Sequence, residues 1–586
     1  MKKYLLIALA ALGIAACTEK IDDTLHHPGD VESSYIAISL SATDPSTRAE
    51  DGTYQEGEAI ERAVETAYFF FFNEDGSAFP VNVHDGAANA PANDGVNHLP
   101  ATINPTTGAD MNNVSDIKNV VLLLKNYKGT YPAKIVAVLN WVPSNQAYSL
   151  TDLQETLVNV RSKEDGDLNG KFIMSNAVYA KDGTTVVNAT PLTAANIFTD
   201  EANAKANPVT IYVERAAAKV TVTTTDGKTV FDLNKPVTIG GSNTPVYAKI
   251  LGWELYNDYE QSYLVKNIDP TWTNDEIGFT WNDSPWYRCY WAISQTEPFL
   301  DNSFQYEYVS GETKTYGFGF GTDTDVTAGT YAANTYTYCG ENTDRIVSDR
   351  TKVILKAQLQ KENGDHVELA RWYTTEYLGE EDLRVAVANT LKYTLYYENG
   401  VGTGNYVGLE PEDLQCVSPV YDEHETITNG APSTIKSYEV FFQLSTEGQK
   451  KTWYKNEGGS KVPMSQDSSA DPNGVSATNA YLASNVAPAT VYKTGQTYYF
   501  FDIQHLGNSK DDKEQIGEYG VVRNHIYAIN INSIGGYGSP IYIGTSNIVT
   551  PPEYPDDPTG EETSFVSAEV RILSWRIVSQ GVDIQN

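Results

Sequence analysis

Alternation of apolar and polar residues along several short segments constrains the fold of this chain more than any other feature. In TKVILKAQLQ, every second residue from Val353 to Leu359 is apolar, and the residues between them are mostly polar. The same period of two recurs in LKYTLYYENG, SYEVFFQLS and HIYAININSI. This period is typical of half-buried strands joined by polar turns. We therefore predict an all-β fold with a minor α content, built from sandwich strands.

Two further segments complete this local prediction. AYFFFFNEDG and KIVAVLNW are continuous apolar runs, which favours central strands covered on both faces. LTDLQETLVNV is the best helix candidate, because Thr151 and Gln154 have the spacing of a capping box. One helix packed on a sandwich is expected there.

The first residues have the pattern of an export signal. Lys2 and Lys3 precede an apolar run over residues 5–14, which is too short for a permanent membrane span. LGIAAC then has the form of a lipobox, in which Cys17 is acylated and the acyl chains tether the precursor to a membrane. The alternative is an ordinary signal peptide that ends at a free Cys17.

The next segment combines a strand with a site that a protease could cut. In SYIAISLSA, Ile36, Ile38 and Leu40 share one face, and Tyr35 belongs to the other. TDPSTRAE follows, and its Pro, Ser and Thr residues predict a loop around the bond between Arg48 and Ala49. We predict that cleavage there would free this first strand. Arg62, in EAIERAVETAYF, is the rival cleavage site, and an ordinary loop Arg48 is the alternative.

The C-terminal segment also contains a strand, SFVSAEVRILSWRIV, which follows the proline-rich and acidic spacer PPEYPDDPTGEE. The parity of its apolar residues changes near Ile572, which predicts a bulge or bend between Ile572 and Leu573. We predict a donor strand that can pair with a neighbouring subunit. The alternative is that it is the last strand of its own domain. The predicted donor residues are Val566, Ala568, Val570, Ile572, Leu573, Trp575 and Ile577.

No residue pattern indicates an enzyme, a cofactor or a metal site. The histidines do not form an HExxH motif, and GFGFG and GVGTG lack the GxGxxG spacing, so both are expected to be hairpin turns. Beyond Cys17, the cysteines Cys289, Cys339 and Cys416 allow at most one disulfide and give no zinc pattern. The net charge of −35 makes nucleic acid an unfavourable partner.

Taken together, these motifs resemble those of the Bacteroidales fimbrillins, the Fim/Mfa type of major fimbrial subunit that builds type V pili, and the Mfa type more closely. The resemblance rests on the lipobox, on Arg48 after the first strand, on VERAAAKV, on EYGVVRNHIYAININSI and on the ending AEVRILSWRIV. It implies two tandem transthyretin-like β-sandwich domains with a C-terminal donor-strand extension. It also implies maturation by an arginine-specific protease and a homopolymer of the subunit at the cell surface. The precursor would be lipid-anchored at the outer membrane, and tip and anchor subunits would be possible partners.

The expected parts of the chain follow from these observations. A chain of 586 residues is too long for one core, so at least two domains are expected. We place the boundary between them beside VERAAAKVTVTTTDG. The parts are residues 1–17 (signal peptide and lipidation Cys), 18–48 (propeptide with the removable strand), 49–216 (N-terminal β-sandwich domain), 217–550 (C-terminal β-sandwich domain) and 551–586 (spacer and donor strand).

Two alternative functions stay open. A surface lipoprotein could bind glycans without polymerising, using a tryptophan cluster as a stacking platform. A tip or anchor subunit of the same fimbrial family is the other alternative. The cluster consists of Trp272, Trp281, Trp286 and Trp291.

Overall fold

A computed structural model of the chain shows a mostly β protein with several sheets and a few short helices. Its buried side chains form three hydrophobic cores. The structure describes residues 31–41, 61, 63–84, 92–101, 120–159, 172–177, 179–180, 186–234, 237–239, 242–256, 258–259, 261–267, 287–288, 293–294, 336–343, 350–400, 402–417, 439–465, 469–492, 495–505, 519–540, 542–543, 547–548, 565–574 and 578–579.

The first core is built by the elements up to residue 215. Its sheet has the order β3-β2-β5-β7-β11-β1-β4, and β10 pairs with β5 beside this path. The phenylalanines of AYFFFF are fully buried, which confirms the prediction of a central strand there. The elements are β1 (Val31–Ser41), β2 (Ala67–Phe72), β3 (His98–Pro100), β4 (Val120–Tyr127), β5 (Lys134–Leu139), α1 (Leu150–Glu155), β6 (Leu157–Asn159), β7 (Met174–Asn176), β8 (Tyr179–Ala180), β9 (Val186–Val187), β10 (Thr190–Pro191), α2 (Glu201–Ala206) and β11 (Val209–Arg215).

Helix α1 lies where the sequence predicts a helix, but its cap differs from the predicted one. Ser149 and Asp152 form the capping box, with Asp152 N donating to Ser149 Oγ over 3.0 Å. The predicted pair, Thr151 and Gln154, lies inside the helix instead. The physical reason is that Leu150 and Leu153 are buried, so the helix begins early enough to place both leucines against the core.

The second core begins directly after the first. Ala216 and Ala217 pack in the first core and Ala218 in the second, although VERAAAKV is continuous there. The elements that follow are β12 (Ala218–Thr224), β13 (Val230–Asp232), β14 (Val237–Ile239), β15 (Ser242–Thr244), β16 (Tyr247–Tyr256), β17 (Gln261–Tyr263), β18 (Tyr287–Arg288), β19 (Tyr336–Cys339) and β20 (Lys352–Gln360).

The third core is formed by the part of the sequence between β20 and residues 496–502, which form the strand that pairs with β20. The sequence analysis did not predict this core. Trp453 and Leu383 are fully buried in this core. Its elements are β21 (Leu369–Trp372), β22 (Thr375–Leu378), α3 (Gly379–Leu391), β23 (Leu395–Glu398), β24 (Tyr406–Gly408), β25 (Leu414–Val417), β26 (Glu439–Leu444), β27 (Trp453–Glu457), β28 (Ser460–Pro463), α4 (Val475–Asn485) and β29 (Ala489–Tyr492).

One predicted strand is partly wrong in this region. LKYTLYYENG is not extended from its first residue, because Leu391 ends α3 and only Leu395 to Glu398 form β23. Leu391 is buried on the same helix as Leu383 and Val387, so helical packing takes precedence over the alternating pattern. The segment after Gly400 is a hairpin turn between β23 and β24, as expected for GVGTG.

The chain then returns to the second core. Two sheets pack around that core, with the orders β19-β12-β31-β35-β36 and β13-β16-β20-β30-β32. The strand prediction for HIYAININSI is confirmed by β31. The remaining elements are β30 (Gln496–Asp502), β31 (His525–Gly535), β32 (Ser539–Pro540), β33 (Tyr542–Ile543), β34 (Asn547–Ile548), β35 (Phe565–Ser574) and β36 (Val578–Ser579).

Strand β20 is buried along its whole length rather than on one face. It lies between β16 and β30, and its polar face is covered as well as its apolar face. Lys352 is fully buried there and bonds with the carboxylate of Asp502. The pattern predicted the strand correctly, but not the burial of its polar face. Pairing of buried charges allows both faces of this central strand to be covered.

Candidate functional site

The first predicted strand is an interior strand of its sheet. β1 pairs antiparallel with β4 on one side and parallel with β11 on the other. Ile36 lies opposite Leu122, and Ile38 lies opposite Val120 and Val209. β1 therefore completes two ladders at once, and its loss would leave unpaired backbone groups on both neighbours.

Side chains of β1 also complete the first core. Ile36 and Ile38 are 0% exposed and belong to that core, as the predicted shared face requires. Tyr35 is half-buried, and its backbone exchanges two hydrogen bonds with Phe198, of 2.7 and 2.9 Å. Leu40 pairs with Ile211 in the ladder. Burial of each isoleucine stabilises the fold by roughly 1.5–3 kcal/mol.

The predicted donor strand is paired within its own chain. β35 runs antiparallel to β31, with Val570 opposite Ile529 and Ile572 opposite Tyr527. Ile529 and Tyr527 are fully buried in the second core. In the single chain, β35 is thus the last long strand of its own sheet, which is the alternative that the sequence analysis left open.

Three of the remaining predicted donor residues pair with β31 in the same ladder. Val566 pairs with Ile534, and Ala568 pairs with Ile531. Leu573 pairs with Ile526, while Trp575 and Ile577 lie outside the described residues. On its other side β35 pairs, within the described residues, with the two-residue strand β36.

The predicted bulge between Ile572 and Leu573 is not found there. Both residues pair in an unbroken register with Tyr527 and Ile526. The irregularity lies instead on the partner strand, between Ile531 and Ser533. β31 therefore has one extra residue opposite Ser567 and Ala568, and β35 itself keeps a regular register through Ile572 and Leu573.

Several predicted positions cannot be placed. Cys17, Arg48, Ala49 and the spacer at 551–562 lie outside the described residues, as does the tryptophan cluster. In the part of the chain that the structure describes, no helix has the length and apolar character needed to cross a membrane.

The described cysteines differ in burial. Cys339 is buried and Cys416 is half-buried, and Cys289 lies outside the description. Among the described residues, no group of three or more His, Cys, Asp or Glu side chains could hold a metal ion.

His505 and His525, the first residue of β31, are two buried histidines that lie close together. The rings of His505 and His525 have centroids 5.3 Å apart, and His505 Nδ1 is 2.7 Å from the Tyr527 hydroxyl. Burial, with smaller contributions from His525 and Lys266, lowers the pKa of His505 well below 6.5. Burial raises the pKa of Tyr527. Both groups are therefore neutral near pH 7, which suits a structural role in the core.

Sequence reasoning did not find the buried ionic groups where the first and second cores meet. Glu214 pairs with Lys266 at 3.2 Å, and the Arg215 backbone N–H donates to Asn524 Oδ1 over 3.2 Å. Asn524 precedes β31, and its own N–H donates to the Ala217 carbonyl over 2.7 Å. These bonds join the end of β11 to the start of β31. The available signal was the cluster of charges within the otherwise apolar VERAAAKV.

Comparison with known sequences then defines the class of protein. Residues 490–581, which contain β30, β31, β35 and β36, match the family described as major fimbrial subunit protein type IV, fimbrillin, C-terminal. This is a family of structural fimbrial subunits rather than of enzymes. Through this segment the chain matches the fimbrillin family, as the resemblance in its sequence suggested. No curated protein matches the chain.

Solved structures of low identity also align with the chain. A fimbrilin (FimA) from Porphyromonas gingivalis is 10% identical, with 93% of this chain and 98% of that chain covered and a TM-score of 0.35. A protein from Parabacteroides distasonis described as a cell adhesion protein is 13% identical, with coverages of 93% and 100% and a TM-score of 0.35. The tip fimbrial protein Mfa3 from Porphyromonas gingivalis is 13% identical, with coverages of 93% and 100% and a TM-score of 0.27. Similarity at these scores carries no argument about function.

Proposed function

We propose that this protein is a shaft subunit of a cell-surface fimbria that polymerises by donor-strand exchange and supports adhesion. The precursor is exported as a lipoprotein acylated at Cys17 and is cut between Arg48 and Ala49 by an arginine-specific protease. In this proposal two tandem transthyretin-like domains span residues 49–216 and 217–550. Residues 551–586 supply the spacer and the donor strand.

The observation that carries the proposal is the position of β1. A strand at the N-terminal end of the described chain occupies an interior place in its sheet, between β4 and β11, and fills the core with Ile36 and Ile38. A cut at Arg48 would turn this strand into a separate peptide and remove the advantage of its covalent tether. A strand from a second subunit can then compete for the vacated place by β-augmentation.

The position of β35 supports its role as the donor. Its outer neighbour is only the two-residue strand β36, so leaving the sheet chiefly requires breaking one ladder, that with β31. The bonds lost to β31 are regained in the groove of the next subunit, where two ladders are open. Exchange therefore replaces a one-sided strand position with a two-sided one.

The experiment that tests the proposal locks β35 in place. Asn530 and Glu569 are register partners on β31 and β35, so cysteines at both positions can form a disulfide across the ladder. A matched control places cysteines at Asn456 and Lys461, register partners on β27 and β28 of the third core. Both variants are oxidised, treated with the arginine-specific protease and examined for polymers.

We expect the locked Asn530→Cys/Glu569→Cys protein to be cut but to remain monomeric until it is reduced. The Asn456→Cys/Lys461→Cys protein should polymerise in either redox state. Polymers from the oxidised Asn530→Cys/Glu569→Cys protein would contradict donation by β35. A second measurement identifies the N-terminal residue of the protein at the cell surface. Ala49 would indicate a shaft subunit, whereas lipidated Cys17 would indicate an anchor subunit or a glycan-binding lipoprotein.

A further inference from the structure

Glu61 is a buried charge that ties the start of the chain body to the second core. Its side chain is 0% exposed, and its Oε1 accepts hydrogen bonds from Lys219 Nζ and the Tyr338 hydroxyl, each 2.6 Å long. The Glu61 carbonyl also accepts a bond from Arg215 Nε. Lys219 lies on β12 and Tyr338 on β19, so both belong to the sheet that carries β31 and β35.

The residues after Glu61 are held by the first core. Asn140 Oδ1 accepts the Glu65 N–H over 2.7 Å, and Asn140 Nδ2 donates to the Ala63 carbonyl over 2.8 Å. The Asn140 N–H donates to the Thr66 carbonyl over 2.8 Å. Val64 is 4% exposed and packs in the first core. Asn140 is itself fully buried, with a left-handed φ of 60°, which an asparagine tolerates better than most residues.

We infer that Glu61 and residues 63–66 form a stop for proteolytic maturation, which we call the N-terminal anchor. A protease needs a locally opened chain, and cleavage follows the population of that open form. Opening the N-terminal anchor leaves Lys219 without its buried carboxylate partner and exposes Val64. Removing one member of a buried ion pair is among the costliest local changes in a fold.

This inference rests on the proposed cut at Arg48 and adds to it. Arg62 is the rival cleavage site in the sequence and lies outside the described residues, but both of its chain neighbours belong to the N-terminal anchor. The anchor therefore protects the bond after Arg62, which leaves Arg48 as the accessible arginine at the N-terminal end of the chain. It also keeps the new N-terminal segment attached to both cores after β1 has left.

Limited proteolysis of the full chain with an arginine-specific protease tests the N-terminal anchor. The variants are Glu61→Gln, which removes the charge at nearly constant shape, and Tyr338→Phe, which removes a single bond to Glu61. The control is Glu65→Gln, which removes the charge of an exposed carboxylate in the same segment. N-terminal sequencing of the fragments over time is the measurement.

In the unmodified chain, we expect the stable fragment to begin before Glu61. Glu61→Gln should release a fragment beginning at Ala63 at least about tenfold faster, Tyr338→Phe should show a smaller increase, and Glu65→Gln should behave as the unmodified chain. Adding Arg62→Lys to Glu61→Gln should abolish that fragment, which assigns the fragment to cleavage after residue 62.

Rapid appearance of the Ala63 fragment from the unmodified chain would overturn the inference, as would full resistance of Glu61→Gln. These outcomes are read on a purified single chain and require no polymer. A failure of donor-strand exchange is therefore distinguishable from a failure of the N-terminal anchor.

Discussion

The imidazole of His505 and the hydroxyl of Tyr527 are joined by a buried contact of 2.7 Å between Nδ1 and the phenol oxygen. The Val522 N–H donates to the same hydroxyl over 2.8 Å, so the hydroxyl hydrogen is free to point at Nδ1. His505 Nδ1 is then an acceptor on a neutral ring. Tyr527 is the residue opposite Ile572 in the ladder of β35, so this contact is made by a direct neighbour of the proposed donor strand.

This contact predicts a pH dependence of folding. The charged and titratable groups around His505 are His525 and Lys266, with Glu341 near Tyr527, and burial is the largest cause of the lowered pKa of His505. The unfolded chain binds a proton near pH 6.5 whereas the folded chain does not. The contribution of His505 to stability is therefore complete above pH 6.5 and is lost as the pH falls below it, by at most about 1.4 kcal/mol per pH unit.

Urea unfolding at pH 7.5 and pH 5.5 measures this dependence. His505→Gln should reduce the loss of stability between the two pH values, although the variant is less stable at pH 7.5. The exposed residue His84 supplies the control, since His84→Gln should keep the full dependence. An unchanged dependence in His505→Gln would assign the effect to other groups.

A second prediction concerns the buried pair of Arg523 and Glu341. Arg523 Nε lies 3.0 Å from Glu341 Oε1, and the two side chains are 0% and 1% exposed. Glu341→Gln should lower the free energy of unfolding by about 3–5 kcal/mol, because the guanidinium loses its buried counterion. The control Glu201→Gln breaks the exposed pair with Lys205 and should change it by only about 0.3–0.5 kcal/mol. Equal effects in urea unfolding would refute this assignment.

Two glycines with similar backbone conformations should differ strongly in their tolerance of alanine. Gly495 has φ +67°, and an added Cβ would lie 2.2 Å from the Val367 carbonyl oxygen. Gly458 has φ +58°, and an added Cβ would meet nothing within 4 Å. Gly458→Ala should lower the free energy of unfolding by about 1 kcal/mol, from backbone strain alone. Gly495→Ala should lower it by about 3 kcal/mol or more, because the added Cβ also clashes. Thermal unfolding of both variants provides the comparison.

The last prediction distinguishes the precursor from the cut protein. Ile36→Ala should destabilise the precursor by about 2–5 kcal/mol, because it opens a cavity in the first core. Leu123→Ala on β4, at a side chain 44% exposed, should have little effect. After cleavage and replacement of β1, the polymer of the Ile36→Ala variant should be as stable as the unmodified polymer. A persistent defect in the polymer would mean that β1 is retained.

The sequence predicts the central strands well because their burial is visible in their composition. AYFFFF and HIYAININSI contain enough apolar residues at the right period to specify a strand without knowledge of their neighbours. Helix α3 was obscured for a different reason: its helical spacing of Leu383, Val387 and Leu391 leads directly into an alternating run. Where two periods overlap, tertiary packing decides the boundary.

The candidate site was only partly predictable. The shared face of Ile36 and Ile38 follows from a period of two, but pairing to two strands does not. The pairing of β35 with β31 depends on contacts between residues far apart in the sequence. The same holds for the pairing of β20 with β30, which are separated in the sequence by the third core. Glu61 resembled any surface carboxylate, because its partners Lys219 and Tyr338 lie more than 150 residues away.

The place of β1 has a consequence for the direction of assembly. Its two neighbours fix the direction of any strand that replaces it. That strand must run antiparallel to β4 and parallel to β11. A strand entering backwards would run parallel to β4 and antiparallel to β11, so it would not reproduce the hydrogen bonds of either ladder of β1. Every joint formed at this place would thus have the same sense, and a fibre built from such joints would be polar, with one end that offers an open slot and one end that offers an unused strand.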